Sequence, residues 1–324
     1  MGYQDINIQT GTRFLITGAA GFIGSNLVEA VLKTGCRARG LDNFLTGKKA
    51  NIAGFAGYPG FEMIEGDIRD FETCLAACDG VDYVLHQAAL GSVPRSMREP
   101  LIYEDINVKG TSNLMEAARL KGVKRFVFAS SSSVYGDSQK LPKVEGEEGS
   151  AISPYALTKL VNEQYGRLYT KVYGLECIGL RYFNVFGKRQ DPDSEYAAVI
   201  PKFIKLLKAG KQPEIYGDGE QTRDFTYIEN VIEANLKACL APKEACGESY
   251  NIAFGEKFTV NEIYRIVSGL LGADIKPRYV EPRAGDVRHS LADISKAGRL
   301  LGYSPDWDFK KGIKAAIDWY KANI

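Results

Sequence analysis

Histidine is nearly absent: the 324 residues contain two, His86 and His289. Cys74 and Cys78 are spaced like a pair of metal ligands, but with so few partners elsewhere no metal site is expected. The six cysteines (Cys36, Cys74, Cys78, Cys177, Cys239, Cys246) form no spaced framework, and a chain of this length needs no disulfide staples. They read as reduced thiols of a cytoplasmic protein. Charge of one sign is also missing: the net charge is +1 and no basic block occurs. That argues against nucleic acid or an acidic membrane surface as a partner. No apolar run reaches the length of a spanning helix, and the polar stretch from Met1 to Thr12 lacks the apolar core of a secretory leader. Internal repeats and low-complexity tracts are absent too.

What is present is an ordinary globular composition, 45% apolar and 25% charged, long enough for one large domain or two. Arg13 to Thr17 is a short apolar run that stops at Gly18-Ala19-Ala20-Gly21-Phe22-Ile23-Gly24, and Leu27, Val28, Val31 and Leu32 continue at helical spacing. Strand, glycine turn and helix in that order let backbone approach a pyrophosphate and aim free N–H groups at it. The next strand, Arg37 to Leu41, ends in Asp42-Asn43, about 20 residues on, where an acid accepts hydrogen bonds from an adenosine ribose and repels a 2′-phosphate. NAD is therefore favoured over NADP.

Further strands are expected at Phe61 to Glu65, Tyr83 to His86, Arg125 to Ala129 and Glu176 to Leu180, with helices over Ile102 to Lys121 and Pro154 to Tyr173. The fifth strand runs into Ser130-Ser131-Ser132-Ser133 before Val134-Tyr135-Gly136, which places the serines at a carboxyl edge, where open α/β sheets bind ligands. Tyr155 and Lys159, four apart in a helix opened by Pro154, share a face. An ammonium near a phenol favours the phenolate, a usable base near neutral pH.

Beyond Asn184 the alternation loosens. Helices are expected over Val199 to Ala209, Ile228 to Leu240, Val260 to Leu271 with Thr259 as N-cap, Ile294 to Leu301 and Phe309 to Lys321, with a turn at Ile215 to Gly219. The fold expected is α/β: a doubly wound parallel Rossmann sheet over residues 1–185, with catalytic Tyr and Lys, and a smaller mixed α/β substrate-binding part over 186–324. The chain is expected to cross between the two, with the substrate cleft between them.

Gly18-x-x-Gly21-x-x-Gly24, the serine run before Val134-Tyr135-Gly136 and Tyr155-x-x-x-Lys159 together resemble the extended short-chain dehydrogenase/reductases that act on nucleotide sugars. Arg181-Tyr182-Phe183-Asn184-Val185-Phe186-Gly187, Arg223-Asp224-Phe225 and Arg283-x-Gly285-Asp286 narrow the resemblance to UDP-sugar 4-epimerases, over nearly the whole chain. The resemblance implies tightly held NAD, bound through Gly18, Gly21, Phe22, Ile23, Gly24, Asp42, Asn43, Gly47, Asp67, Ile68, Gln87, Ala88, Ala89, Asn107, Ser130, Tyr155, Lys159 and Tyr182. It makes Tyr155 the acid/base, Lys159 its electrostatic partner and Ser131 the catalytic hydroxyl, although four consecutive serines leave the register open. Similar dehydratases carry Asp-Glu where Ser132 and Ser133 stand, which argues against dehydration.

The same resemblance assigns Asn184, Tyr216, Arg223 and Arg283 to the UDP part, the arginines matching the diphosphate. Asp286 either holds a ribose hydroxyl or orients an arginine. Ser290 stands where relatives restricted to UDP-glucose and UDP-galactose have a bulky Tyr, leaving space for a 2-acetamido group. The stretches around Gly91-Ser92 and Gln190 look like the subgroup that prefers UDP-N-acetylglucosamine and UDP-N-acetylgalactosamine, so Gly91, Ser92, Ser132, Ser133, Gln190 and Ser290 are expected around the sugar. UDP-glucose/galactose and UDP-uronic acid epimerases are the alternatives. Helices over Ile102 to Lys121 and Pro154 to Tyr173 resemble those through which family members form homodimers.

Overall fold

Most apolar runs in the front half are followed by a helical segment that returns along the sheet face, so successive strands lie parallel. In the computed structural model, which describes residues 2–193, 199–281 and 288–323, the order is β1 (Arg13–Thr17), α1 (Phe22–Lys33), β2 (Arg37–Asp42), β3 (Phe61–Glu65), α2 (Phe71–Cys78), β4 (Tyr83–His86), α3 (Val93–Arg98), α4 (Pro100–Tyr103), α5 (Gly110–Leu120), β5 (Arg125–Ser131), α6 (Pro154–Leu168) and β6 (Glu176–Tyr182). Later come β7 (Val185–Phe186), α7 (Val199–Lys208), β8 (Glu214–Tyr216), β9 (Thr222–Asp224), β10 (Thr226–Tyr227), α8 (Ile228–Leu240), β11 (Glu248–Ile252), β12 (Lys257–Thr259), α9 (Val260–Leu271), β13 (Arg278–Val280), α10 (Ser295–Leu301) and α11 (Phe309–Asn323).

Seven strands form one parallel sheet in the order β11-β6-β5-β4-β1-β2-β3, the doubly wound Rossmann arrangement. The reversal of order falls between β1 and β4, so the glycine turn after β1 and the small residues after β4 open a crevice at the carboxyl edge. Both faces are covered, and alternate side chains go to opposite layers. Phe14 and Ile16 pack with Leu27, Val28 and Val31 of α1, whereas Leu15, Val84 and Phe126 pack with Leu114 and Met115 of α5. Cys74 and Cys78 are fully buried in that second layer, and burial pushes both thiols up to about 12. His86 is likewise structural, held between Thr17 Oγ1 (2.7 Å) and Thr111 Oγ1 (2.9 Å).

The later elements form three two-stranded pairs, β7 with β10, β9 with β12 and β8 with β13, beside α7, α9 and α11. Thr259 caps α9 by accepting from the Glu262 N–H at 3.1 Å. Among the described residues no helix is long and apolar enough to cross a membrane.

Several local expectations are corrected. The helix over Ile102 to Lys121 consists of α4, a π-helical segment (Glu104–Lys109) and α5. Ser130 and Ser131 belong to β5 itself, and the serine run ends in a 3-10 turn over Ser132–Tyr135. The stretch read as a turn at Ile215 contains β8, which pairs with β13. The largest omission is β11, which completes the sheet beside β6. Its sequence, Glu-Ser-Tyr-Asn-Ile, alternates polar residues that are buried: Asn251 is fully enclosed, its amide bonded to Tyr135 Oη (2.8 Å), the Lys143 carbonyl (2.9 Å) and the Asp293 carbonyl (3.0 Å). A polar side chain satisfied from three other segments leaves no trace in hydrophobic periodicity.

Candidate active site

The crevice at the switch point is a cleft of about 320 Å³. Its floor is the turn after β1, where Gly18 has φ +64° and a Cβ would lie 2.9 Å from the Ala88 nitrogen. A Cβ on Gly24 would collide with the Gly18 carbonyl oxygen at 2.0 Å, so α1 can begin this close to β1 only with glycine there. Gly21 caps α1 without any side-chain acceptor, leaving the first N–H groups of the helix, at Phe22, Ile23 and Gly24, for an anion.

Asp42 ends β2 on the opposite wall, 8% exposed, its carboxylate accepting from the Ala20 N–H (2.9 Å) and the Phe44 N–H (2.7 Å). Asn43 donates to Asp67 (2.8 Å), whose carboxyl the Arg69 guanidinium pulls down to about 2. Ile68, Gln87, Ala88 and Ala89 complete the cleft. This combination of backbone cradle, free helix N-terminus and opposed carboxylate fits a dinucleotide with an unphosphorylated ribose.

A second cleft of about 650 Å³ adjoins the first, the two sharing Phe22, Ile23, Gln87, Ala89 and Gly91. Ser130 to Ser133, Tyr155, Lys159, Tyr182, Asn184, Gln190, Arg223 and Ser290 all line it. Tyr182 is held by Gln87 Oε1 (3.2 Å) and Asn235 Nδ2 (2.9 Å). The Gln190 amide donates to the Val185 carbonyl (3.0 Å), and its buried Oε1 has no partner among the described residues.

Other expected site residues are not in the lining of either cleft. Asn107 is fully buried and spent on both main-chain groups of Leu90 (2.8 and 3.0 Å). Gly47 packs against the Asp42 carboxylate, which a Cβ would approach to 2.9 Å. Ser92 caps α3, accepting from the Arg95 N–H at 3.1 Å, and the Tyr216 ring faces Lys202 Nζ at 5.9 Å. Arg283 and Asp286 lie outside the described residues.

Around Tyr155 the electrostatics differ from the simple pairing. Lys159 Nζ donates to the Ala129 carbonyl at 2.9 Å and lies 6.0 Å from the centre of the Tyr155 ring. Burial raises the Tyr155 phenol, and the neighbouring Ser131 hydroxyl works against that rise. Burial pulls the Lys159 ammonium down to about 8, opposed by the Glu163 carboxylate. The serine next to the tyrosine is thus Ser131, while Ser130 donates to Glu163 at 2.5 Å.

Glu163 itself was not expected, although it repeats the four-residue step of Tyr155 and Lys159 along α6. It receives Arg181 through both oxygens (2.8 and 2.7 Å), and Arg181 also pairs with Glu148. Lys143, in the connection before α6, was not expected either, because nothing periodic marks it.

The family model described as NAD dependent epimerase/dehydratase matches residues 14–253. The chain belongs to that family. Its cofactor is NAD, which the first cleft fits. The chain is 41% identical to a putative UDP-glucose 4-epimerase of Methanocaldococcus jannaschii, over 95% of this chain and 98% of that one. It is 34% identical to a UDP-glucuronate 4-epimerase of Thermodesulfobacterium geofontis, over 96% and 97%. Among solved structures of the epimerase/dehydratase family, a UDP-N-acetylglucosamine 4-epimerase of Methanobrevibacter ruminantium in complex with UDP-N-acetylmuramic acid superposes with TM-score 0.93 at 37% identity, covering 98% of this chain and all of that one.

Lys159 carries its charge at a cost, which gives a stability prediction. A lysine whose folded-state pKa falls from 10.5 to about 8 destabilises the fold fully below pH 8 and not at all above 10.5, a difference of about 3 kcal/mol. Lys159→Met is therefore expected to stabilise the ligand-free protein toward urea at pH 7 by up to about 3 kcal/mol, the gain shrinking to nothing by about pH 10.5. A variant less stable than wild type at pH 7 would contradict this.

Proposed function

We propose that this chain is a UDP-sugar 4-epimerase that interconverts UDP-N-acetylglucosamine and UDP-N-acetylgalactosamine with NAD kept bound through turnover. The observation that carries the substrate choice is Ser290: a small, half-buried residue in the wall of the cleft that holds Ser131 and Tyr155, leaving volume for a 2-acetamido group. The relatives are named for glucose, glucuronate and N-acetylglucosamine forms in turn, so family membership alone does not choose among them.

NAD, when bound, supplies the hydride acceptor and donor for C4. Gly18, Gly21 and the first turn of α1 would hold its pyrophosphate, with Asp42 on the adenosine ribose. Tyr155, beside Ser131, takes the proton of the 4-hydroxyl and later returns a proton to the C4 oxygen of the epimer. Lys159, held on the Ala129 carbonyl, would keep a positive charge behind the phenol and reach the nicotinamide ribose. The 4-keto sugar must turn over between the two half-reactions, which calls for a firm grip on UDP and a loose one on the sugar. Arg223 and Asn184 support the first requirement, and Gly91, Ala89 and the serines the second.

Residues 1–185 are read as the cofactor-binding part and 186–324 as the part that closes over UDP. A homodimer is proposed as well, because Leu157, Leu168 and Val172 lie exposed along one stripe of α6 and its π-helical extension. Leu157→Glu is expected to halve the mass in light scattering, and an unchanged mass would remove that stripe from the interface.

Purified protein incubated with UDP-N-acetylglucosamine, UDP-glucose and UDP-galacturonate separately, without added NAD, should epimerise the first most efficiently. Failure on all three even with NAD supplied would end the epimerase reading, and a strong preference for UDP-glucose would end the argument from Ser290. Tyr155→Phe should lower kcat by about 10²–10⁴-fold with NAD still bound.

A further inference from the structure

The second cleft contains a cation that the proposed chemistry does not use. Lys143 lies in the connection between the 3-10 turn and α6, is 6% exposed, and lines the cleft together with Ser131, Tyr155, Arg223 and Ser290. Its backbone is firmly placed. The N–H donates to the Leu291 carbonyl (2.7 Å), and the carbonyl accepts from the Asp293 N–H (2.9 Å) and Asn251 Nδ2 (2.9 Å). These bonds join it in a parallel bridge to Ala292, two residues from Ser290.

The ammonium, by contrast, is poorly compensated. Nζ donates to the Ser138 carbonyl and lies 6.0 Å from the centre of the Tyr135 ring, and no carboxylate among the described residues pairs with it. Glu145, two residues on, is turned to the Asn251 N–H at 2.7 Å. The other cation against the Tyr135 ring, Arg181, is neutralised by Glu163 and Glu148. A lysine has three donors, and burying its charge with only a carbonyl for company is unfavourable unless an anion completes it. Burial is the cause that lowers its pKa. The dinucleotide cleft does not include Lys143, so the pyrophosphate of NAD is not that anion. Among the described residues no group supplies that anion, and the second cleft, which Lys143 lines, is where a bound one would meet it.

We propose that Lys143 is a substrate-binding residue whose ammonium pairs with an oxyanion of the bound nucleotide sugar, either its diphosphate or a carboxylate carried by the sugar. This rests on the nucleotide-sugar reading of the cleft and deepens it. Lys143 and Ser290 share one wall, so a carboxylate reached by Lys143 extends the substrate class to acidic 2-acetamido sugars. A diphosphate reached by it adds a cation to the grip beside Arg223.

The test compares wild type, Lys143→Met and Lys143→Arg as full-length, NAD-loaded protein. UDP binding is measured by calorimetry, and kcat/KM is measured for UDP-N-acetylglucosamine and for its C6 uronate. If the partner is the diphosphate, Lys143→Met binds UDP at least ten-fold more weakly and loses kcat/KM equally on both sugars. If it is a carboxylate, the loss of kcat/KM is at least ten-fold greater on the uronate than on the neutral sugar. Lys143→Arg recovers most of either loss, which a purely structural role would not predict. Lys143→Gln, uncharged but polar, replaces the Met variant if that one fails to fold.

UDP affinity and both kcat/KM values within two-fold of wild type would overturn the proposal. Weakened UDP binding in a protein whose wild type epimerises neither sugar would keep this inference and end the epimerase reading.

Discussion

The catalytic cleft depends on one buried ion pair. Arg181 at the end of β6 and Glu163 on α6 have side chains only 6% and 9% exposed, and they meet through two hydrogen bonds behind the serine run. Taking both charges out of water costs several kcal/mol, so the pair persists only because its remaining donors and acceptors are satisfied. Ser130 donates to Glu163, Tyr135 and Glu148 take further guanidinium donors, and Tyr135 in turn meets Asn251. One charge pair thereby locks the end of β5, the helix that carries Tyr155 and Lys159, the connection holding Glu148, and β11. The register of Ser131 against Tyr155 follows from it.

The same carboxylate bears on Lys159. Without Glu163 the burial of that ammonium would be opposed by nothing charged nearby, and the neutral amine would be favoured further. Ligand-free, the site holds a phenol raised away from the phenolate that a base requires, beside a lysine that keeps its charge at pH 7 only at a cost. The fold has placed both groups correctly and left the last electrostatic contribution to what binds. A site that spends stability in this way is one expected to keep its cofactor.

The front half of the fold was legible because its physics is local. Apolar runs, glycine turns and helical spacing marked β1 to β6, α1, α5 and α6, and Asp42, Gly18, Gly21, Gly24, Ala88 and Ala89 line the first cleft. What escaped was long-range. β11 is polar in sequence and buried through Asn251, whose partners come from 143 and 293. Asn107 and Gly47 shape the walls of the site rather than line it, a distinction that spacing cannot make. Lys143 carries no pattern at all. Its position is set by a bridge to Ala292, on the far side of the chain.

In the proposed chemistry the hydrogen removed from C4 would be held on the bound NAD and returned to the same carbon, with Tyr155 handling only the exchangeable proton. UDP-N-acetylglucosamine deuterated at C4, incubated with the protein as purified and with no free NAD, tests it directly. Mass spectrometry of the epimerised product should find the deuterium fully retained at C4. Loss of the label to solvent, or a requirement for a stoichiometric supply of fresh NAD, would contradict the account.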